Sequence, residues 1–174
     1  MSSVDIACRC ALVLVFLASA NGKRENFGGF VAAIRLLHLV PERWPRTVAR
    51  VVVGAEVVAA GLLLLPSGFA AAGFVLVILL CAVFAVVIEV SVRKDLRVAC
   101  PCFGGSADLL NRRHLLRDGV LVVVAVVGLV GVDTGRPGFV EVLIGVVVAV
   151  FVAALVIRFD DVAEVLVPRT AVRR

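Results

Sequence analysis

Charged residues are scarce in this sequence of 174 residues, and apolar residues are in excess. Asp, Glu, Lys and Arg make up 18% of the chain, whereas 62% is hydrophobic and the mean hydropathy is +1.13. A typical soluble domain is about one quarter charged and about one half apolar. Because a water-soluble fold of this length cannot bury so much Val, Leu and Ala, we expect lipid to cover the outside of the protein.

Three further shortages argue against particular classes of function. No basic tract is interleaved with aromatic residues, so the net charge of +5 does not indicate a nucleic-acid partner. The single methionine is the initiator, whereas copper carriers commonly contain Met clusters. The five cysteines are odd in number and cannot all pair with one another, so they do not form the disulfide framework of a small secreted domain.

What the chain does contain is a series of long apolar runs, each close to the ~20 residues that a bilayer-spanning helix needs. In hydrocarbon every backbone amide must be bonded internally, which favours helices. The runs are apolar on all sides, unlike the alternating strands of an outer-membrane barrel. They cover residues 5–20, 48–65, 69–90, 115–132 and 139–157.

The runs predict one all-α membrane domain over residues 1–174. We expect a polytopic bundle of four or five transmembrane helices, with an amphipathic helix at the membrane interface over residues 27–44. The longest polar connection, residues 91–114, contains a Cys-Pro-Cys string, and residues 158–174 form a polar tail.

The number of spans depends on whether residues 1–20 are removed. Ala18-Ser19-Ala20, at the end of the first run, resembles a signal-peptidase site, and cleavage there would leave four spans. The residues that lead into the apolar part of the run lack the usual basic residues and include Asp5, which favours retention.

Charge distribution predicts the orientation of the bundle. The connections at residues 21–50 and 91–118 are rich in arginine, whereas the turn at residues 66–68 carries no charge. With five spans, the positive-inside rule places the basic connections in the cytoplasm and the N-terminus outside a bacterial cytoplasmic membrane.

Cys100-Pro101-Cys102 is the sharpest local motif in the chain. Two thiols separated by one residue can close a small, strained disulfide, and strain raises its reduction potential. Pro101 fixes one backbone angle, Phe103 can anchor the loop, and Gly104 permits a turn behind it. The motif indicates a redox pair. Two alternatives remain open, a Cu(I) site built from two thiolates and an incidental pair of cysteines.

Glu56 is the costliest residue in the chain, since a carboxylate at mid-span faces the bundle interior with a partner or titrates. Arg9 and Lys23, at the two ends of the first span, are its candidate partners. Glu56 is either a proton acceptor coupled to thiol chemistry or half of a structural ion pair. Cys81 is interpreted as core packing, with a thiol relay as the alternative.

The motifs resemble, in their order along the chain, the MauE (methylamine utilisation) family of DoxX-like, redox-associated membrane proteins. The features that carry the resemblance are Lys23, Phe27, Phe30, Pro41, Glu56, the string Gly61-Leu62-Leu63-Leu64, the string Cys100-Pro101-Cys102-Phe103-Gly104 and the pair Arg117-Asp118. The chain departs from the family pattern at Asp118, where Asn is expected, and in the extra Cys8 and Cys10.

The resemblance implies a role in disulfide formation or in the maturation of exported proteins, beside a thioredoxin-like partner. The family's cysteine pair falls on Cys100 and Cys102, and Glu56 and Lys23 correspond more loosely. A quinone is a further candidate cofactor. The alternative from another class is a non-enzymatic scaffold that docks such a partner in the membrane.

Overall fold

The computed structural model describes residues 3–38, 40–94, 112–131, 142–143, 145–150 and 154. Within these ranges the chain forms helices and short turns and no strand, so the predicted all-α membrane bundle is confirmed. The helices are α1 (Ser3–Glu25), α2 (Phe27–Leu36), α3 (Pro45–Leu64), α4 (Ser67–Arg93) and α5 (Arg112–Val130).

Local sequence explains where the helices begin and end. Asn26 separates α1 from α2, and its side chain accepts a hydrogen bond from the backbone N–H of Gly29 at 3.2 Å, which caps α2. Pro45 occupies the first position of α3, where its missing N–H costs nothing. An extended Leu65 followed by Pro66 ends α3 and starts α4, so these two helices form a tight antiparallel pair.

Four of these helices form the bundle, and each packs against two neighbours. Helices α3 and α5 each lie between α1 and α4. Their shared core is apolar and includes Leu12, Leu63, Phe74 and Ala125. The short helix α2 packs against the beginning of α3 through Phe30 and Val31.

Contacts between helix ends fix the direction of each helix. Arg9, near the start of α1, donates to the carbonyl oxygen of Leu65, just after α3, at 3.1 Å. Gly128, near the end of α5, lies against Cys8 and Phe74. Helices α1 and α4 therefore run one way, and α3 and α5 run the other. The last residues of α1 and α4 and the first residues of α3 and α5 therefore lie at the same end of the bundle.

The outside of the bundle is suited to lipid. Three of the described helices are long and apolar enough to cross a membrane, namely Val4–Glu25, Pro45–Leu64 and Gly68–Arg93. Large apolar side chains face outward on all of them, including Leu17, Val51 and Val83. Contact with the lipid bilayer explains this exposed apolar surface, so the protein is a membrane protein.

The predicted boundaries differ from the observed ones in two places. The first span was predicted to end at residue 20, yet α1 continues to Glu25 because Lys23 is buried against other helices. The amphipathic helix was predicted over residues 27–44, whereas α2 ends at Leu36 and His38 adopts a positive φ of 50°. In the fifth predicted span the described residues, 142–143, 145–150 and 154, are helical.

A buried polar cluster as candidate functional site

Lys23 and Glu56 form an ion pair inside the bundle. Lys23 is 1% exposed and Glu56 is 7% exposed. The Nζ atom of Lys23 donates to Oε1 of Glu56 and, at 2.7 Å, to Oγ of Ser19. The Ser19 hydroxyl in turn donates to the same carboxylate oxygen at 3.3 Å. Helices α1 and α3 are therefore joined by a closed triad of polar side chains.

Two aromatic rings complete the surroundings of the Lys23 ammonium group. The rings of Phe30, on α2, and Phe84, on α4, both have their centres 5.7 Å from Nζ. At this distance the negative face of an aromatic ring attracts a cation. The charge of Lys23 is thus stabilised by groups from four helices.

A second buried pair joins α4 to α5. The thiol of Cys81 and the carboxylate of Asp118 interact electrostatically, and both residues are buried, at 4% and 6% exposure. Cys81 also lies within electrostatic range of Glu56, and Asp118 within range of Lys23.

The two pairs therefore belong to one group of side chains, which we call the buried polar cluster. Its members are Ser19, Lys23, Glu56, Cys81 and Asp118.

Each carboxylate of the buried polar cluster has one oxygen atom without a hydrogen-bond partner in the described structure. Oε2 of Glu56 and Oδ2 of Asp118 are buried and have no hydrogen-bond partner among the residues that the structure describes. Buried polar atoms are nearly always hydrogen-bonded, so such atoms call for an explanation. Two buried carboxylate oxygens therefore lie unpaired inside the described part of the bundle.

A separate ion pair lies at the other end of α1. Arg9 donates from Nε to Oδ1 of Asp5 at 2.9 Å and from Nη1 to the carbonyl of Leu65. Of the two partners predicted for Glu56, Lys23 is therefore correct and Arg9 is wrong. Arg9 is about 21 Å from Lys23 along the helix axis, at 1.5 Å per residue, and Asp5 is one helical turn from Arg9.

The predicted redox pair belongs to the connection between α4 and α5. Cys100, Pro101, Cys102, Phe103 and Gly104 lie outside the described residues. What the fold provides is the position of the two flanking helices. Arg93 ends α4 and Arg112 begins α5, at the same end of the bundle as Lys23.

The roles of Cys81 and Asp118 were largely missed in the sequence. Cys81 was interpreted as core packing, which is confirmed by its place in the apolar core, but its interaction with a buried carboxylate was not predicted. Asp118 was treated only as part of the Arg117-Asp118 pair and as a departure from the family pattern. The sequence feature that could have predicted a buried role for Asp118 is its position in an otherwise apolar run.

Metal binding finds no support in the described part of the chain. It contains no group of three or more His, Cys, Asp or Glu side chains that could hold a metal ion. The Cu(I) alternative concerned Cys100 and Cys102, which are outside that part.

Comparison with known proteins gives one match. A family model described as methylamine utilisation protein MauE matches residues 1–131. The matched region contains helices α1 to α5 and every member of the buried polar cluster. No curated protein and no solved structure matches the chain.

Proposed function

The chain belongs to the methylamine utilisation protein MauE family, and from this premise we propose that it is a membrane thiol–disulfide redox protein. In this proposal it supports disulfide formation or maturation of exported proteins, in a bacterial cytoplasmic membrane. Cys100 and Cys102 are the redox pair, and a thioredoxin-like protein is the partner.

The observation that carries the proposal is the buried thiol–carboxylate pair, Cys81 and Asp118, beside the Lys23–Glu56 ion pair. Thiols react as thiolates, so every exchange step moves a proton. In a lipid-covered bundle a proton acceptor must be built from side chains. The acceptors in this proposal are Oε2 of Glu56 and Oδ2 of Asp118, which are buried and have no hydrogen-bond partner among the described residues.

The chemistry is an exchange of disulfide bonds. One thiolate of the Cys100–Cys102 pair attacks a partner disulfide, forming a mixed disulfide and releasing the first partner sulfur as a thiolate. The second cysteine of the pair then attacks the mixed disulfide and releases the second partner sulfur. The partner is reduced by two electrons and the pair is oxidised; the reverse sequence transfers the disulfide to the partner.

The first test substitutes each member of the pair. We expect Cys100→Ser and Cys102→Ser each to abolish exchange, because each removes a sulfur that the two-step reaction requires. One of the two variants should retain a mixed disulfide with the partner. Non-reducing electrophoresis followed by mass spectrometry of the cross-linked peptides measures this directly.

The control is Cys10→Ser, a half-buried thiol on α1 with no part in the proposed reaction. It should leave exchange unchanged. If both substitutions in the Cys-Pro-Cys string were tolerated and neither gave a mixed disulfide, the protein would be a scaffold that docks a partner without reacting with it.

A further inference from the structure

A group of exposed arginines surrounds the place where the chain passes from α2 into α3. The group lies at the same end of the bundle as the last residues of α1. We call it the basic rim. Its members are exposed side chains at the end of α2, in the connection that follows and in the first two turns of α3: Arg35, Leu36, Arg43, Trp44, Arg46 and Arg50.

The charges of the basic rim have no counter-ion within the described protein. None of its four arginines forms an ion pair with a residue that the structure describes. One acidic residue, Glu42, lies in the stretch of sequence from Arg35 to Arg50. Arg93 at the end of α4, by contrast, pairs with Glu89 at 2.7 Å. The basic rim therefore presents a net positive charge to its surroundings.

The fold holds the basic rim together. Phe30 and Val31 of α2 share an apolar cluster with Ala49, in the second turn of α3, so α2 lies beside the start of α3. The turn before α3 is closed by two backbone hydrogen bonds of 2.9 Å. The N–H of Trp44 donates to the carbonyl of Pro41, and the carbonyl of Trp44 accepts from the N–H four residues later. The basic rim is therefore a folded surface and not a loose basic tail.

Two large apolar side chains lie among the arginines. Leu36 is 49% exposed and Trp44 is 51% exposed. Trp44 comes directly before Pro45–Leu64, one of the segments long and apolar enough to cross a membrane. Tryptophan is enriched at membrane interfaces, where its ring lies at headgroup level. An acidic protein would also attract arginines, but a position at the edge of a lipid-facing helix favours the headgroup layer.

We propose that the basic rim is a binding surface for anionic phospholipids, whose negatively charged headgroups pair with its arginines. A guanidinium group can donate two parallel hydrogen bonds to phosphate oxygens, which suits arginine to this ligand. Clusters of basic residues next to a transmembrane helix attract anionic lipids. The positive-inside rule accounts for the side on which arginines lie, whereas their grouping around an exposed tryptophan on a folded surface makes a ligand site.

Trp44 provides the reporter for the test, because it is the single tryptophan of the chain and its fluorescence reports on the basic rim alone. The full-length protein is placed in bilayers that contain phosphatidylcholine and phosphatidylglycerol at equal mole fractions. A bromine quencher is attached to the acyl chains of one lipid or of the other. Brominated phosphatidylglycerol should quench Trp44 more strongly than brominated phosphatidylcholine does.

Substitutions then assign the preference to the arginines. Arg35→Gln, Arg43→Gln and Arg46→Gln should each lower the relative association constant of phosphatidylglycerol by up to about fivefold, and the triple variant should remove the preference. The triple lysine variant keeps the charges and should keep most of the preference. Glu42→Gln is the matched control, since it changes the same connection without removing a positive charge, and it should not weaken the preference.

Salt gives a second readout that needs no substitution. The preference of the parent protein for phosphatidylglycerol should fall as the salt concentration rises, because interactions between exposed charges are screened. Equal quenching by the two lipids would overturn the proposal, and is the result expected if the arginines attract an acidic protein instead. A preference that survives the triple glutamine substitution would overturn it as well. No cysteine takes part, so this outcome is independent of the mixed-disulfide test of the proposed function.

Discussion

The Lys23–Glu56 pair gives the most demanding test of the fold. In Lys23→Met the ammonium group is lost while the aliphatic length that contacts Phe30 and Phe84 remains. Glu56 would then be an anion at 7% exposure, with the Ser19 hydroxyl as its remaining hydrogen-bond donor in the described structure. Removing one member of a buried ion pair costs about 3–5 kcal/mol of stability. We expect a loss of that size.

Removing both charges should cost less than removing either one. In the double variant Lys23→Met with Glu56→Leu, no charge is left unpaired in the bundle, and apolar replacements of buried pairs are often close to neutral. The coupling energy between the two positions should therefore be at least about 2 kcal/mol, within the range measured for directly contacting residues.

The assay is unfolding by a denaturing detergent, followed by the loss of helical circular dichroism, in the four members of a double-mutant cycle. Glu89→Gln serves as the control, since its pair with Arg93 is exposed and should contribute less than about 1 kcal/mol. If each single variant lost less than about 1 kcal/mol, or if the two losses were additive, the charges would not be paired inside the bundle.

Two further predictions concern packing and sidedness. Gly128→Ala should destabilise the bundle by about 1–3 kcal/mol in the same assay, because the new Cβ would overlap the Phe74 ring and lie 3.0 Å from Cβ of Cys8. The control is Gly119→Ala on the same helix, whose new Cβ meets no atom within 4 Å and which should be neutral or slightly stabilising. Equal losses of stability in the two variants would contradict the packing of α5. In a cysteine-free background, an impermeant maleimide added to intact cells should label Leu65→Cys and not Glu42→Cys, because basic connections face the cytoplasm. Labelling of Glu42→Cys alone would show that the bundle has the opposite orientation in the membrane.

The helices were predictable from the sequence because hydrocarbon allows few alternatives. An apolar run that spans a bilayer must bond its own backbone, so the existence of α1, α3, α4 and α5 follows from the runs. Their ends were less predictable. Lys23 looks like the polar end of a span, and only its burial against Glu56 shows that α1 continues past it.

The candidate site was half predictable for a related reason. A carboxylate in the middle of a membrane span is stabilised by a nearby cation, so a cationic partner for Glu56 was expected. Lys23 was one of the two candidate partners, with Arg9. The interaction between Cys81 and Asp118 depends on which face of α4 meets α5. Apolar side chains are equally compatible with lipid and with a protein core, so the runs alone do not determine the rotation of a helix about its axis.

The few polar residues of α1 determine that rotation. Its buried polar side chains are Asp5, Arg9, Ser19 and Lys23. At about 100° per residue these positions fall within an arc of about 80°, although they span nearly the whole helix. Lipid would accept none of them, so this arc must face other helices. Once it does, Arg9 meets the end of α3 and Lys23 meets Glu56, and α1 is fixed at both ends. The arrangement of this bundle is therefore specified by its scarce charged residues more than by its abundant apolar ones.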